Sequence, residues 1–108
     1  MNADIAAPVR TLKASAIDPQ TRRPPLPAGH GGLSGPAVRP VAVAQVRAVA
    51  AAVAVPAIGM GGVCNSADAL EMIYAGASIV AVGTENFRDP LAGRRVAGGL
   101  AELLSARP

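Results

Sequence analysis

Two short apolar runs that lead into glycine constrain this chain most strongly. They are residues 55–60 (VPAIGM) and residues 78–83 (SIVAVG), and neither alternates with polar side chains as a half-exposed strand would. Both runs therefore predict strands that are covered on both faces. The segment between them starts with Asn65 or Ser66, which can cap a helix, and stops at Gly76, which favours a helix end. The pattern predicts a strand, a helix and a second strand.

Further helical segments flank this unit. Residues 40–53 place Val46, Val49 and Val53 three and four positions apart, which predicts a helix with its valine face inward. A last helix is expected from Pro90 onward. Buried strands that alternate with helices predict an α/β fold with a parallel sheet. Two such units leave sheet edges open on both sides, so we expect a piece of a fold.

The first forty residues have a different character. Residues 3–9 are weakly apolar, are interrupted by Asp4 and end at Pro8, so they predict at most a weak strand. Residues 11–40 contain six prolines and four glycines, which exclude a long helix and predict an extended loop that is either functional or disordered. We therefore divide the chain into a loop arm, residues 1–40, and one partial domain of βα units, residues 41–108.

Composition and charge narrow the classes of function. The formal net charge is +3, but the arginines are scattered, and one Tyr, one Phe and no Trp offer little to stack on a base. We expect no nucleic-acid partner. The single cysteine cannot form an internal disulfide and no Cys–His spacing suits zinc, which favours a reducing cytoplasm and no metal. No segment approaches the roughly 18 apolar residues that span a membrane, and we expect neither a membrane anchor nor a secretory signal.

Glycine at the two strand ends points to a ligand. Gly61 and Gly62 follow the first strand, and Gly83 and Thr84 follow the second, with a short turn able to start an extra helix. Bare backbone and helix N-termini bind anions, and in (β/α)₈ barrels the common phosphate site lies after strands seven and eight. The alternative is that these glycines only make tight turns, but their repetition in consecutive units favours a phosphate. Gly35, just before a predicted helix, either joins this cradle or forms a hinge.

Three segments of the chain carry a family resemblance. They are TRRPPLPAGHGGLSGPAVRP, IGMGGVCNSADALEMIYAGASIVAVGT and an NF followed by a proline. Together they resemble the C-terminal part of the class 1 dihydroorotate dehydrogenases, in particular the NAD-linked form, from about Thr11 to the end of the chain. The resemblance implies the last two to three βα units of an FMN-binding (β/α)₈ TIM barrel. It also implies the FMN-dependent oxidation of dihydroorotate to orotate in pyrimidine biosynthesis.

The resemblance assigns binding roles residue by residue. The positions that match FMN contacts in the family are Val9, Gly35, Gly61, Gly62, Gly83 and Thr84. Thr11 matches the threonine of an Asn-Thr pair that holds the orotate ring, and Lys13 matches a basic residue that often follows it. Arg10 stands where the family has the asparagine of that pair. Arg10 and Thr11 are therefore the expected substrate-binding residues.

The resemblance also implies that essential parts lie outside this chain. The family's catalytic cysteine loop and the lysine near the flavin precede the sixth strand, so we expect no catalytic residue here and no turnover by the chain alone. Cys64 does not replace that base, because the only histidine that could activate it, His30, lies in the loop arm. Asp68, Glu71 and Glu85 are interpreted as first-turn charges that favour helix starts.

Partners and alternatives follow from the same resemblance. An incomplete barrel should be marginally stable and associate with itself or with a missing N-terminal half. The NAD-linked form passes electrons to an iron–sulfur and FAD subunit. Two alternatives remain open: another FMN barrel, such as the flavin domain of dihydropyrimidine dehydrogenase, or a non-enzymatic remnant that serves as an interaction fragment.

Overall fold

A computed structural model describes residues 12–106 of the chain. Its elements in chain order are β1 Leu12–Ala14, β2 Gly31–Leu33, the 3-10 helix Pro36–Val38, α1 Arg39–Ala52, β3 Ile58–Met60, α2 Ser66–Ala75, β4 Ile79–Ala81, α3 Glu85–Arg88 and α4 Ala92–Ser105. The described part is mixed α/β. The weak strand predicted within residues 3–9 lies outside the described residues.

Strands β3 and β4 form the predicted parallel pair, but the prediction that both are covered on both faces is wrong for β4, because Ile79 is 52% exposed. Ile58 pairs with Ile79 and Met60 pairs with Ala81, and α2 makes the connection between the two strands. The first of them is shorter than predicted because Pro56, which cannot donate to a ladder, precedes it. Within residues 12–106 the strands form two-stranded sheets and no closed barrel.

The loop arm contains strands that the sequence did not predict. Leu12 pairs with Leu33 in the antiparallel ladder of β1 and β2. The Ser15 hydroxyl donates to the Gly29 carbonyl oxygen at 2.5 Å and helps to close the intervening loop. The prolines fall mainly between the two strands, so they leave both free to pair. The expectation of an extended loop throughout residues 11–40 is therefore wrong where β1 and β2 form.

Helix boundaries follow local capping chemistry. The Asn65 side chain accepts from the N–H of Asp68 at 2.9 Å, and Gly76 ends α2 with φ 120°, both as predicted.

Helix α1 ends before Val53, which is extended and 42% exposed, so the prediction that Val53 faces inward is wrong. Helix α4 starts two residues after Pro90, because the Asp89 carboxylate first accepts from the N–H of Leu91 and forms a turn.

Small side chains build the core. Its buried members are Ala42, Val46, Val63, Ala69, Met72, Ala77 and Val96, contributed by α1, α2, α4 and the loops beside the sheet. Gly59 in β3 is part of this close packing, since a Cβ there would lie 2.9 Å from the Cβ atoms of both Met72 and Ala77. The core thus fixes the ends of β3 and β4 against the helices. Among the described residues, no helix is long and apolar enough to cross a membrane.

Candidate functional site

A cleft of about 420 Å³ lies where three loops meet. The loops follow β2, β3 and β4, and their lining residues are Gly35, Pro36, Gly62, Val63, Cys64, Gly83, Thr84, Glu85 and Arg88. The fold therefore brings together four of the residues singled out from the sequence, namely Gly35, Gly62, Gly83 and Thr84. Gly61 is buried beside the cleft and does not line it.

The glycines keep the walls of the cleft open. A Cβ on Gly35 or on Gly83 would meet no other protein atom within 4 Å, so a ligand can approach the backbone there. Gly62 has a different task, because its φ of 72° is unfavourable for other residues and its missing Cβ would lie 2.7 Å from the Gly35 carbonyl oxygen. Gly62 thus allows two of the three loops to touch.

Backbone donors are available at the entry to α3. The N–H groups of Asn86 and Phe87 donate to the carbonyl oxygens of Gly83 and Thr84 and close the first turn. The N–H groups of Thr84 and Glu85 precede that turn and take no part in it. The Thr84 hydroxyl makes no capping hydrogen bond and Thr84 is exposed. This side of the cleft therefore presents N–H and O–H donors, as an anion requires.

An ion pair with a buried carboxylate forms another side of the cleft. The Glu85 side chain is only 3% exposed, and its two carboxylate oxygens accept from Arg88 Nε at 2.6 Å and Nη2 at 3.2 Å. The hydrogen bond from Arg88 lowers the pKa of Glu85, and the same bond raises the pKa of Arg88. Glu85 is the first-turn charge of α3 that we expected, but sequence reasoning missed its burial and its place in the cleft. The i, i+3 spacing of Glu85 and Arg88 indicates an ion pair on a helix but does not indicate its burial.

Cys64 lines the cleft as a protonated thiol. It is half-buried, and its Sγ lies 3.6 Å from the Gly62 carbonyl oxygen as a weak donor. Burial raises the pKa of the thiol, and the neighbouring Glu85 raises it further, so the reactive thiolate is disfavoured. His30 does not line the cleft. Within residues 12–106, no group of three or more His, Cys, Asp or Glu side chains could hold a metal ion.

Two arginines stabilise the loop after β3, Arg95 directly and Arg39 through Asp68. Arg39 Nη1 lies 3.1 Å from Asp68 Oδ1, and another oxygen of Asp68 accepts from the N–H of Cys64 at 3.0 Å. Arg95 Nη1 donates to the Cys64 carbonyl oxygen at 3.0 Å while its Nε pairs with Asp89 Oδ2 at 2.9 Å. Asp68 therefore connects a helix start to the cleft loop, which extends its predicted first-turn role.

Comparison with known proteins assigns the family. The sequence model described as Dihydroorotate dehydrogenase matches residues 3–104. The chain belongs to the dihydroorotate dehydrogenase family. Members of this family are FMN-dependent and have TIM-barrel folds, so the resemblance seen in the sequence motifs is confirmed.

Three relatives show the extent of the match to the dihydroorotate dehydrogenase family. The NAD(+)-type dihydroorotate dehydrogenase B catalytic subunit of Geotalea daltonii is 50% identical over 103 residues, which cover 95% of this chain and 34% of that protein. The corresponding subunit of Geotalea uraniireducens is 51% identical over 102 residues, which cover 94% of this chain and 33% of that protein. A protein of Solibacter usitatus, provisionally named dihydroorotate dehydrogenase A (fumarate), is 49% identical over 102 residues. The match covers 94% of this chain and 34% of that protein. The chain thus spans about a third of the length of these curated relatives.

The cleft suits the phosphate of the family's cofactor. Open Cβ positions at Gly35 and Gly83, together with donors from Thr84 and the start of α3, provide room and hydrogen bonds for an anion. Val9, Arg10 and Thr11 lie outside the described residues, so their flavin and substrate contacts stay predictions. Lys13 is exposed on β1 and does not line the cleft.

Proposed function

We propose that this chain is the FMN-phosphate-binding C-terminal part of a dihydroorotate dehydrogenase barrel. The observation that carries the proposal is the convergence of Gly35, Gly62 and Gly83, from three separate loops, on one cleft. The whole barrel would oxidise dihydroorotate to orotate in pyrimidine biosynthesis. The chain alone would bind without turning over, because the family's cysteine base is on a loop outside it.

Each part of the cleft has a distinct role in this proposal. The N–H groups of Thr84 and Glu85 and the Thr84 hydroxyl would hydrogen-bond the phosphate oxygens. Gly35 and Gly83 would leave room for the phosphate and the adjoining chain, and Gly62 would hold two loops together. FMN, when bound, would supply the two-electron acceptor for dihydroorotate oxidation.

The substrate end of the site is proposed from the family resemblance. Thr11 would hydrogen-bond orotate, Val9 would contact the flavin through its backbone, and Arg10 would replace the family's asparagine at the ring. Arginine has no acceptor atom, so it would provide only donors there. Arg10 should therefore bind the ligand's carboxylate or carbonyl oxygens.

Several strands of the proposed barrel would come from the remaining two thirds of a relative's length. The chain would contribute the last two to three βα units, with residues 41–108 as one partial domain and residues 1–40 as an arm that supplies Gly35. Large exposed apolar side chains could pack against the remaining strands of the barrel: Phe87 is 93% exposed and Ile79 in β4 is 52% exposed. Completion by a missing half or by another copy is therefore part of the proposal.

Among the types of dihydroorotate dehydrogenase, which differ in their electron acceptor, we favour the NAD-linked type for this chain. The words "catalytic subunit" in the names of the two Geotalea relatives support a separate partner subunit. The family resemblance implies that this partner would carry iron–sulfur and FAD groups. The name of the Solibacter usitatus protein gives fumarate instead, which represents the alternative acceptor. The cytoplasmic location stays a prediction that rests on the single cysteine.

Titration of the full 108-residue chain with FMN tests the proposed function. Flavin fluorescence quenching and thermal unfolding are followed together in the wild-type chain and in Gly83→Val. A Cβ at Gly83 would meet no protein atom within 4 Å, so a valine there should occupy space in the cleft, and we expect saturable quenching and thermal stabilisation to be lost. Gly93→Val is the matched control, because a Cβ there also meets no atom within 4 Å but lies on α4, outside the cleft.

Two outcomes would contradict the proposal. A wild-type chain that neither quenches flavin fluorescence nor gains stability with FMN would support the interaction-fragment alternative. Equal quenching in Gly83→Val and the wild type would place the flavin elsewhere. Orotate titration of an FMN-loaded, completed barrel would then separate a dihydroorotate dehydrogenase from other FMN barrels.

A further inference from the structure

The Glu85–Arg88 pair differs from an ordinary surface ion pair on a helix. Both residues line the cleft, and the Glu85 side chain is 3% exposed while that of Arg88 is 81% exposed. A solvated i, i+3 pair would leave both carboxylate oxygens to water. Here the carboxylate is withdrawn from water, whereas the guanidinium that pairs with it stays largely exposed and lines the same cleft.

Arg88 keeps donors free while it pairs with Glu85. A guanidinium has five N–H donors, and Glu85 engages one on Nε and one on Nη2. Among the described residues, Arg88 has no other hydrogen-bond or ion-pair partner. Its remaining donors, on Nη1 and Nη2, can therefore bind a second anion while the first stays paired.

The charges of the cleft require such a cation. A phosphate monoester brings close to two negative charges at neutral pH. Glu85 adds another negative charge at the same cleft, and the Cys64 thiol adds none because it is protonated. Besides Arg88, no arginine or lysine lines the cleft within residues 12–106. Without Arg88, a phosphate would meet an uncompensated carboxylate.

We propose that Arg88, held in place by Glu85, binds the ligand's phosphate directly and makes the cleft prefer a phosphorylated flavin over riboflavin. This inference rests on the proposed function and adds to it a positively charged side-chain ligand, which none of the glycine motifs supplies. Glu85 acts as a positioning residue, since it fixes the guanidinium plane and leaves the outer donors exposed. The competing explanation is that Arg88 only neutralises Glu85 and never contacts the phosphate.

A comparison of charge-neutral variants separates these explanations. Affinities for FMN and for riboflavin are measured by fluorescence on the full 108-residue chain as wild type, Arg88→Gln, Glu85→Gln and the double variant. Arg47→Gln is the matched control, because it removes the same charge from an exposed position on α1 that does not line the cleft. We expect Arg88→Gln to weaken FMN binding roughly tenfold or more, as for a lost charge-assisted hydrogen bond.

The double variant gives the decisive result. If Arg88 contacts the phosphate, FMN affinity stays reduced even after Glu85 is neutralised, while riboflavin affinity in every variant stays within about twofold of wild type. Recovery of wild-type FMN affinity in the double variant would overturn the inference in favour of simple neutralisation. This variant leaves no buried charge unpaired, so it keeps the test decisive if Arg88→Gln alone unfolds.

The wild-type control distinguishes failure of the inference from failure of the proposed function. If the wild-type chain binds FMN and Arg88→Gln binds it equally well, only the role of Arg88 is refuted. If the wild-type chain binds neither flavin, the proposed function and this inference both fall. If Arg47→Gln weakens FMN binding as much as Arg88→Gln, the effect is one of overall charge, and the direct contact is refuted.

Discussion

The carbonyl oxygen of Gly35 lies 2.7 Å from the position that a Cβ on Gly62 would take. The loop after β2 and the loop after β3 therefore touch backbone to backbone at the edge of the cleft. Arg39 closes the same contact, with its Cβ 2.9 Å and its backbone nitrogen 3.0 Å from that position. Little space is left for a side chain at Gly62, and the contact decides how the cleft is shaped.

Gly62→Ala should therefore destabilise the chain even without a ligand. The new methyl would collide mainly with backbone atoms, and φ of 72° is strained for alanine. We expect a loss of about 2 kcal/mol or more in unfolding free energy, measured by denaturant titration without FMN. Gly93→Ala is the control, with no clash and an expected gain of about 0.5–1 kcal/mol from helix propensity. Equal stability of Gly62→Ala and wild type would show that the loops can separate without cost.

Asp68→Asn should weaken the loop after β3. The Asp68 side chain is 12% exposed and joins Arg39 to the N–H of Cys64, so the neutral amide loses an ion pair and a charge-assisted hydrogen bond. We expect a loss of about 1–2 kcal/mol in unfolding free energy. Glu71→Gln is the control, because Glu71 also pairs with Arg39 but is 51% exposed, and its loss should stay below about 0.5 kcal/mol. Similar losses in both variants would contradict a special role for Asp68.

Part of the site could be predicted because its signals are local. The carboxyl ends of neighbouring parallel strands share one edge of a sheet, so glycine after β3 and after β4 had to meet. Gly62 and Gly83 do line one cleft, and the helical turn after Thr84 is present. The capping of α2 by Asn65 and its termination at Gly76 could be predicted for the same reason, since each depends on a few adjacent residues.

Other features depend on contacts that no local pattern records. Leu12 and Leu33 pair across a proline-rich loop, and their three-residue strands are too short to alternate visibly. Burial of Glu85 depends on how α3 is turned towards the cleft, so its i, i+3 spacing from Arg88 could not by itself distinguish a buried pair from a solvated one. Val53 follows the valine spacing of α1, but the helix ends one residue before it.

Acid should destabilise the chain through two paired carboxylates. Hydrogen bonds from Arg88 and Arg95 lower the pKa of Glu85 and of Asp89, respectively. Their stabilising effect is therefore complete above the ordinary carboxyl pKa of about 4 and is lost as the pH falls through the lower folded-state values. Thermal midpoints, measured between about pH 7 and pH 2, should hold down to about pH 4 and then fall.

The variant Glu85→Gln with Asp89→Asn controls for this acid effect. Since both titrating groups are absent, its midpoint should fall less steeply than that of the wild type below about pH 4. Other carboxylates, including Asp68, are the same in both chains, so the difference isolates the two pairs. Parallel curves for the two chains would contradict the lowered pKa of Glu85 and of Asp89.

The Cys64 thiol should react slowly and report on occupancy of the cleft. Burial is the main cause of its raised pKa, and the Glu85 carboxylate is a further cause. Because only the thiolate is nucleophilic, we expect alkylation by iodoacetamide near pH 8 to be slower than for free cysteine. The chain has one cysteine, so mass spectrometry of the alkylated chain measures modification of this site alone.

A variant and the ligand should change the alkylation rate of Cys64 in opposite directions. Glu85→Gln should raise the rate partly, since burial remains, and FMN should lower it in the wild type because Cys64 lines the cleft. A rate equal to that of free cysteine would refute the buried thiol, whereas a slow rate unchanged by saturating FMN would mean that the flavin binds outside this cleft.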